Sequence, residues 1–193
     1  MRRAPLILLL PLLALSNTAC EQGFAYGDPN AIIVVASVDQ WPALEDSVFA
    51  VLSPDIFTLR EERMFRLRYE DPFGPDWGMK RMFKEEVLIG TVQDHWIAQA
   101  LETLDEDVSY EVPGIVETGD VWARNQRATL LLVDPAEDFA SQVYSLIGEV
   151  HDILENRFRE GARMRMFVSG PNEALADSIM EVAGFGMLFP EVY

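Results

Sequence analysis

The chain has 193 residues, of which 49% are hydrophobic, and its 15 basic and 32 acidic residues give a formal net charge of −17. The apolar fraction excludes an intrinsically disordered chain and is sufficient for one domain with a sizeable core. The negative charge argues against a nucleic-acid-binding protein, because such proteins neutralise phosphates with Lys and Arg. It also argues against membrane attachment through the protein surface, since anionic lipid headgroups repel an acidic body.

The start of the chain has the order of a secretory signal. A basic beginning over residues 1–3 is followed by an apolar run over 4–15 and by small or polar residues over 16–19. This order is typical of a signal peptide that is removed from the mature protein. The apolar run is too short to cross a bilayer as a helix. The sequence therefore predicts a signal peptide over residues 1–19.

Cys20 is the single cysteine of the chain and directly follows this predicted signal. The residues around it resemble the lipobox of bacterial lipoproteins: Thr18 and Ala19 fit the pattern, and Asn17 stands where leucine is usual. The resemblance implies cleavage before Cys20, a thioether-linked diacylglycerol on its sulfur and an acylated amino group. Two or three acyl chains anchor a protein stably. The alternative is a plain cleaved secretory signal that leaves a free cysteine.

The residues after Cys20 indicate where an anchored domain would lie. Glu21 is the next residue, and the lipoprotein sorting rule implies the outer membrane rather than the inner one when this residue is not aspartate. Residues 20–30 contain two glycines and a proline and predict a lipidated tether, whose last ten residues reach about 35 Å at most. We therefore expect a lipid-anchored protein of the bacterial cell envelope that faces the periplasm, close to the bilayer.

Residues 31–193 predict a single domain that begins with alternating strands and helices. The continuous β-branched run over 31–37 is typical of a strand that is covered on both faces. A helix begins at Trp41 and stops at Ser53-Pro54. Strict alternation over 64–69 predicts a strand with one solvated face, and another strand is predicted over 86–92.

The second half of the domain is dominated by one long helix. It is predicted over 135–160, because Asp134 is placed to cap its start and Gly161 to stop it. The other predictions are a short helix after Asp94, a strand region over 121–133, a short strand over 164–168, a helix over 171–182 and a closing strand over 187–189.

This order of elements predicts an α+β fold with an antiparallel or mixed sheet and helices mainly on one face. A ferredoxin-like core with an insertion is the specific expectation.

Five features of the chain occur together in one known group of proteins. They are the cysteine with its short tether, a strand leading into Asp39-Gln40-Trp41, the segment 119–126, the long helix ending near Arg157 and the closing segment 184–193. In these features the chain resembles a family of uncharacterised bacterial lipoproteins with a domain of unknown function. Members of that family continue into a second related half, and the resemblance covers the first half only. It implies that self-association of the chain replaces the pairing between two related halves. It implies no activity.

Residues suited to catalysis or metal binding are few. The chain has two histidines, His95 and His151, and a zinc site would need carboxylates as its remaining ligands. Each histidine has an aspartate beside it, but sequence neighbours on a helix point away from each other. The sequence contains no nucleophile elbow, dinucleotide fingerprint or phosphate-binding loop. We predict no catalytic residue, no metal site and no cofactor; the alternative is a periplasmic hydrolase that uses one histidine with Asp or Glu.

The loop over residues 71–78 is the predicted partner-binding segment. It holds two prolines and two glycines, and Phe73 and Trp77 are its aromatic residues. Exposed aromatic side chains often anchor protein interfaces, and we expect Trp77 to be exposed. The leading hypothesis is a non-catalytic, lipid-anchored domain that binds an unknown protein partner, or a second copy of itself, as an accessory subunit of a membrane-associated complex. A small-ligand-binding lipoprotein is a further alternative, which requires a lined pocket.

Overall fold

The computed structural model describes residues 22–57 and 59–192, so the predicted signal peptide and Cys20 lie outside the described residues. In those ranges the elements are β1 (Ala31–Val35), α1 (Trp41–Leu52), β2 (Asp55–Phe57), β3 (Glu61–Arg63), β4 (Arg66–Glu70), α2 (Trp77–Lys80), β5 (Glu85–Gly90), α3 (His95–Leu101), β6 (Gly114–Gly119), β7 (Arg127–Leu132), α4 (Phe139–Met166) and α5 (Glu173–Ala183).

Five of the strands form one mixed sheet in the order β4-β1-β5-β7-β6. β1 pairs in parallel with β4 and β5, β5 pairs in parallel with β7, and β6 is an antiparallel edge strand. β2 and β3 form a separate hairpin. The α+β class and the mixed sheet are thus confirmed. The expected ferredoxin-like core is wrong, because such a core has antiparallel neighbours, whereas β1 has a parallel neighbour on each side.

Apolar side chains cover both faces of the sheet. Ile32 of β1 points into a core that α1 and α4 close, whereas Ile33 points into a second core with Trp96 of α3 and Trp77 of α2. All of β1 except its first residue is buried, as its β-branched run predicted. The two long helices α1 and α4 lie on the first face and the short α2 and α3 on the second. None of the described helices is both long enough and apolar enough to cross a bilayer.

The parallel strands give the domain two distinct edges. We call the side where β1, β4, β5 and β7 begin the amino edge, and the side where they end the carboxyl edge. Residues 22–30, which were predicted to be part of a tether, run along the amino edge and are paired with it. The Ala25 amide donates to the Arg124 carbonyl and the Lys84 amide to the Tyr26 carbonyl, both at 2.8 Å. From residue 22 onward, the predicted tether therefore belongs to the domain.

The C-terminal part of the chain differs from the sequence prediction. The strand predicted over 164–168 is wrong, because α4 continues to Met166. Arginine and methionine alternate over 163–166, which imitates a strand, but the two arginines lie favourably at the negative end of the helix dipole. The strand predicted over 187–189 is also wrong, and an isolated bridge between Pro171 and Pro190 closes this region. Every side chain of α5 is at least partly exposed.

Candidate functional site at the carboxyl edge

The order of the parallel strands reverses between β1 and β5. The connection through α1 places β4 on one side of β1, and the chain then crosses to β5 on the other side. In open sheets with parallel strands, ligands bind outside the carboxyl ends of the strands at such a switch point. A crevice of about 360 Å³ lies there. Its polar lining comes from the loops after β1, β5 and β7, through Ser37, Asp39, Gln40, Thr91, Asp94 and Glu137.

Asp94 fixes the loop after β5. One of its carboxylate oxygens accepts hydrogen bonds from the Thr91 amide at 2.7 Å and from the Thr91 hydroxyl at 3.0 Å. The close approach depends on Gly90, where a Cβ atom would lie 2.8 Å from that oxygen. The Trp96 Nε1 donates to the Ile89 carbonyl at 3.3 Å, which holds the indole ring at the crevice wall. The loop after β5 is therefore preorganised.

Gln142 fixes the loop after β7. Its Oε1 accepts from the Asp134 amide at 2.7 Å, and its Nε2 donates to the carbonyls of Asp134 at 2.9 Å and of Asp138 at 3.3 Å. The long helix was expected to begin at 135 but begins at Phe139, where the Asp138 carboxylate caps the Ser141 amide at 2.8 Å. The hydrogen bonds from Ser141 lower the pKa of Asp138. Residues 134–138 thus form a rigid wall of the crevice instead of a first helical turn.

Tyr69, at the end of β4, supports the loop after β1. Its ring stacks on Trp41 with the centroids 4.3 Å apart, and its hydroxyl donates to the Ala36 carbonyl at 3.2 Å. Burial raises the pKa of Tyr69 to about 12, and the nearby carboxylates of Asp71, Glu70 and Asp39 contribute to the rise. The phenol therefore remains a neutral hydrogen-bond donor at physiological pH.

The structure separates the two residues of the predicted partner-binding pair. Phe73 is 71% exposed and lies beside the crevice, with its ring centroid 5.0 Å from that of His95 and 5.8 Å from that of Trp96. Trp77 is only 7% exposed, because α2 turns its ring onto the second sheet face against Trp122. The expectation that Trp77 is exposed is wrong, and only Phe73 is available to a partner.

The two histidines lie on elements that pack against opposite faces of the sheet. His95 is exposed at the start of α3, whereas His151 of α4 packs edge-on against Phe65. Among the described residues that line the crevice, neither histidine is present. His151, Asp152 and Glu155 bring three possible metal-ligand atoms within 4.8 Å of one another, so this stretch of α4 is where an imidazole and two carboxylates could hold a metal ion.

The charge of the crevice determines what it can bind. Asp39, Asp94 and Glu137 contribute carboxylates, and no described residue of the lining is basic. Trp96 and Phe139 supply apolar walls. Such a lining suits cationic groups and hydrogen-bond donors and disfavours phosphates. It also contains the hydroxyls of Ser37 and Thr91, and the Thr91 hydroxyl donates to the Asp94 carboxylate at 3.0 Å.

Sequence reasoning missed Ser37, Thr91, Glu137 and Gln142 as site residues. Each of the first three follows the end of a buried strand within a few residues. Had these strands been read as parallel, this position would have placed the three side chains at one edge of the sheet. The signal was present in the near-continuous runs of Val, Ile and Leu in β1, β5 and β7, which are typical of parallel strands.

No protein-family model matches this chain, and neither a curated protein nor a solved structure matches it. The resemblance to the lipoprotein family therefore stays a prediction.

Proposed function

We propose that the protein is a lipid-anchored, non-catalytic domain of the bacterial cell envelope that binds a partner protein at its carboxyl edge, as an accessory subunit of a membrane-associated complex. The observation that carries this proposal is the position of Phe73, which is exposed beside an acidic crevice. The partner segment that fits such a surface carries a basic group for the crevice and an apolar side chain for Phe73.

The anchor and the crevice lie at opposite edges in this proposal. Gln22 is tied to the amino edge, where its side-chain amide donates to the Asp120 carbonyl at 3.0 Å. Cys20 is two residues away, a distance of about 7 Å at most. Acyl chains on Cys20 would therefore hold the amino edge against the bilayer. The six residues of β5 separate the two edges by about 20 Å, so that the crevice faces away from the membrane.

The partner is tested by site-specific photocrosslinking in intact envelopes. A photoreactive residue at position 73 is compared with one at Phe57, which is 82% exposed on β2 and lies outside the crevice. We expect a crosslinked protein from position 73 only, and less of it after Asp39→Asn or Glu137→Gln. Equal crosslinking from both positions, or none from position 73, would contradict the proposal.

The anchor is tested separately by mass spectrometry of the mature N-terminal peptide. We expect an acylated Cys20, and Cys20→Ser should abolish acylation. A mature chain that begins elsewhere, without lipid, would overturn this part of the proposal.

A small polar ligand is the second candidate, because the crevice volume lies within the range of about 300–1,000 Å³ that is usual for ligand sites. Native mass spectrometry of the protein from envelopes would show a small bound molecule that disappears in Asp39→Asn. The hydrolase hypothesis gains no support, since neither histidine is among the described residues of the crevice lining.

A further inference from the structure

A second groove, of about 500 Å³, lies at the amino edge between the starts of β5 and β7 and the end of α4. Its lining contains four cationic side chains, those of Lys84, Arg127, Arg157 and Arg165, and one carboxylate, that of Glu85. This composition is the reverse of that of the carboxyl-edge crevice and is unexpected in a chain with a net charge of −17.

Arg157 is engaged in contacts within the domain, including an ion pair with Glu85. Its guanidinium lies 3.1 Å from the Glu85 carboxylate, pairs also with Glu117, and donates to the Thr129 hydroxyl at 3.0 Å. The remaining cations are those of Lys84, Arg127 and Arg165. Within residues 22–57 and 59–192 none of these three forms an ion pair with a carboxylate. Their charges face the groove, although those of Arg127 and Lys84 also act on Glu85: burial raises the pKa of Glu85, and Arg157, Arg127 and Lys84 oppose the rise.

Other carboxylates near the amino edge reduce this positive charge only in part. Asp28 is paired with Arg66. Glu160 of α4 and Glu117 of β6 line a neighbouring shallow pocket together with Arg127. Because Arg157 is shared between Glu85 and Glu117, the groove and the neighbouring pocket hold four cations against three carboxylates, those of Glu85, Glu117 and Glu160, which leaves a small positive excess.

The groove also has an apolar wall. Phe158, Met164 and Val168 contribute to its lining, and Val168 is 87% exposed. Free phosphate would gain nothing from these side chains. A phospholipid presents a phosphate next to glycerol and the first acyl carbons, so that one molecule matches both parts of the lining.

Screening makes the local charge more important than the net charge. The six residues of β5 separate the edges by about 20 Å, whereas the Debye length in physiological salt is about 8 Å. The carboxylates of the opposite edge, such as Asp39 and Glu137, are thus largely screened from anything bound in the groove. An anionic membrane surface would be attracted at the amino edge although the whole domain is acidic.

We propose that this amino-edge groove binds the headgroup of an anionic phospholipid and so holds the domain upright, with its carboxyl-edge crevice turned away from the bilayer. The upright orientation rests on the proposed lipid anchor, whereas headgroup binding does not. Acyl chains on Cys20 would keep the amino edge near the bilayer at one point only, about which the domain could still rock. Headgroup binding adds a second, directional contact.

The test uses the protein as purified from envelopes in nonionic detergent, whether or not it is acylated. It is titrated with short-chain phosphatidylglycerol and with short-chain phosphatidylcholine, and bound lipid is counted by native mass spectrometry. We expect phosphatidylglycerol to bind at least about tenfold more tightly. A cation near an anionic lipid surface contributes about 1 kcal/mol, or about fivefold in affinity. The triple variant Lys84→Gln, Arg127→Gln, Arg165→Gln should therefore lose about a hundredfold.

Two further variants keep the result interpretable. Arg165→Gln alone changes an exposed helical residue that folding does not need, and it should weaken binding about fivefold. Arg159→Gln removes a positive charge from the same helix outside the groove lining and should leave binding unchanged. Equal affinity for the two lipids, unaltered binding by the triple variant, or full displacement by equimolar inorganic phosphate or polyglutamate would overturn the proposal. None of these results depends on Cys20 acylation or on partner crosslinking, so the proposed function can fail or hold independently.

Discussion

Glu85 and Glu86 are adjacent on β5 and are both buried, yet the structure predicts opposite effects when each is replaced by methionine. Their side chains point to opposite faces of the sheet. Glu86 is completely buried, and its carboxylate lies near the Phe83 backbone amide but forms no hydrogen bond of normal geometry in the part of the chain that the structure describes. Glu85 lies 3.1 Å from Arg157, whose side chain is only 12% exposed.

The contacts of each glutamate determine how much its replacement changes the free energy of unfolding. A buried polar group without a hydrogen bond costs about 1–3 kcal/mol, so Glu86→Met should raise the free energy of unfolding by about that amount. Methionine has a similar length and adapts to irregular space. Removing one member of a buried ion pair costs about 3–5 kcal/mol. Glu85→Met should cost about 3 kcal/mol, at the low end, because Arg157 keeps its contact with Glu117.

The gain in the free energy of unfolding of Glu86→Met over the wild type should increase with pH. Burial raises the pKa of Glu86 well above its ordinary value of 4.5, and the Phe83 backbone amide and the charge of Arg81 oppose the shift without cancelling it. Between the unfolded and the folded pKa the native state binds more protons than the unfolded state, so the stability of the wild type falls as pH rises. The contribution of Glu86 is complete below about pH 4.5 and is lost as the pH rises through the folded pKa.

Urea unfolding followed by tryptophan fluorescence measures both variants, at one pH near 4.5 and one near 8. Trp77 and Trp96 lie in the second core and Trp41 in the first, so the signal reports on both faces of the sheet, including the one where Glu86 is buried. A Glu86→Met protein that is less stable than the wild type at pH 8 would refute the reasoning, since it would mean that the carboxylate makes a favourable interaction.

Three further predictions concern the carboxyl edge. Gly90→Ala should destabilise the domain by about 1–3 kcal/mol in urea unfolding, because its Cβ would lie 2.8 Å from the Asp94 carboxylate. Gln142→Leu should cost about 1–3 kcal/mol and speed hydrogen exchange of the Asp134 amide, which would lose its acceptor. Tyr69 should titrate at about pH 12 by tyrosinate absorbance; since its folded pKa is raised from 10.0, its contribution to stability is complete below pH 10 and is lost as the pH rises from 10 through about 12.

Elements with a strong local signal could be predicted from the sequence. The β-branched run of β1, the proline-started α1 and the three-four spacing of α4 all specify their own structure, and the structure contains all three. The hairpin of β2 and β3 and the edge strand β6 were missed. The side chains of β2 and β3 are exposed and those of β6 are mostly half-buried, so these strands have no clear pattern of buried residues.

Features that depend on distant contacts could not be predicted. Whether Trp77 is exposed depends on the direction in which α2 turns the ring, and its neighbour Trp122 is 45 residues away in the sequence. Likewise, the segment around Tyr26 has the composition of a tether, yet its backbone pairs with residues 82–84. In both cases the contact that decides the structure is long-range, and composition alone indicated a loop.

The direction of the strands, which the sequence left open, is what connects the two proposals. In an antiparallel sheet, connecting loops and helix starts would occur at both edges, and a chain entering near one edge would say nothing about the position of a binding site. Here β1, β4, β5 and β7 run the same way, so the loops that line the crevice gather at one edge while the chain enters at the other. The basic groove shares the amino edge with Gln22, two residues after Cys20. The proposed headgroup contact and the crevice therefore lie at opposite ends of the parallel strands, and a measured tilt that brought Phe73 to the lipid surface would contradict both proposals at once.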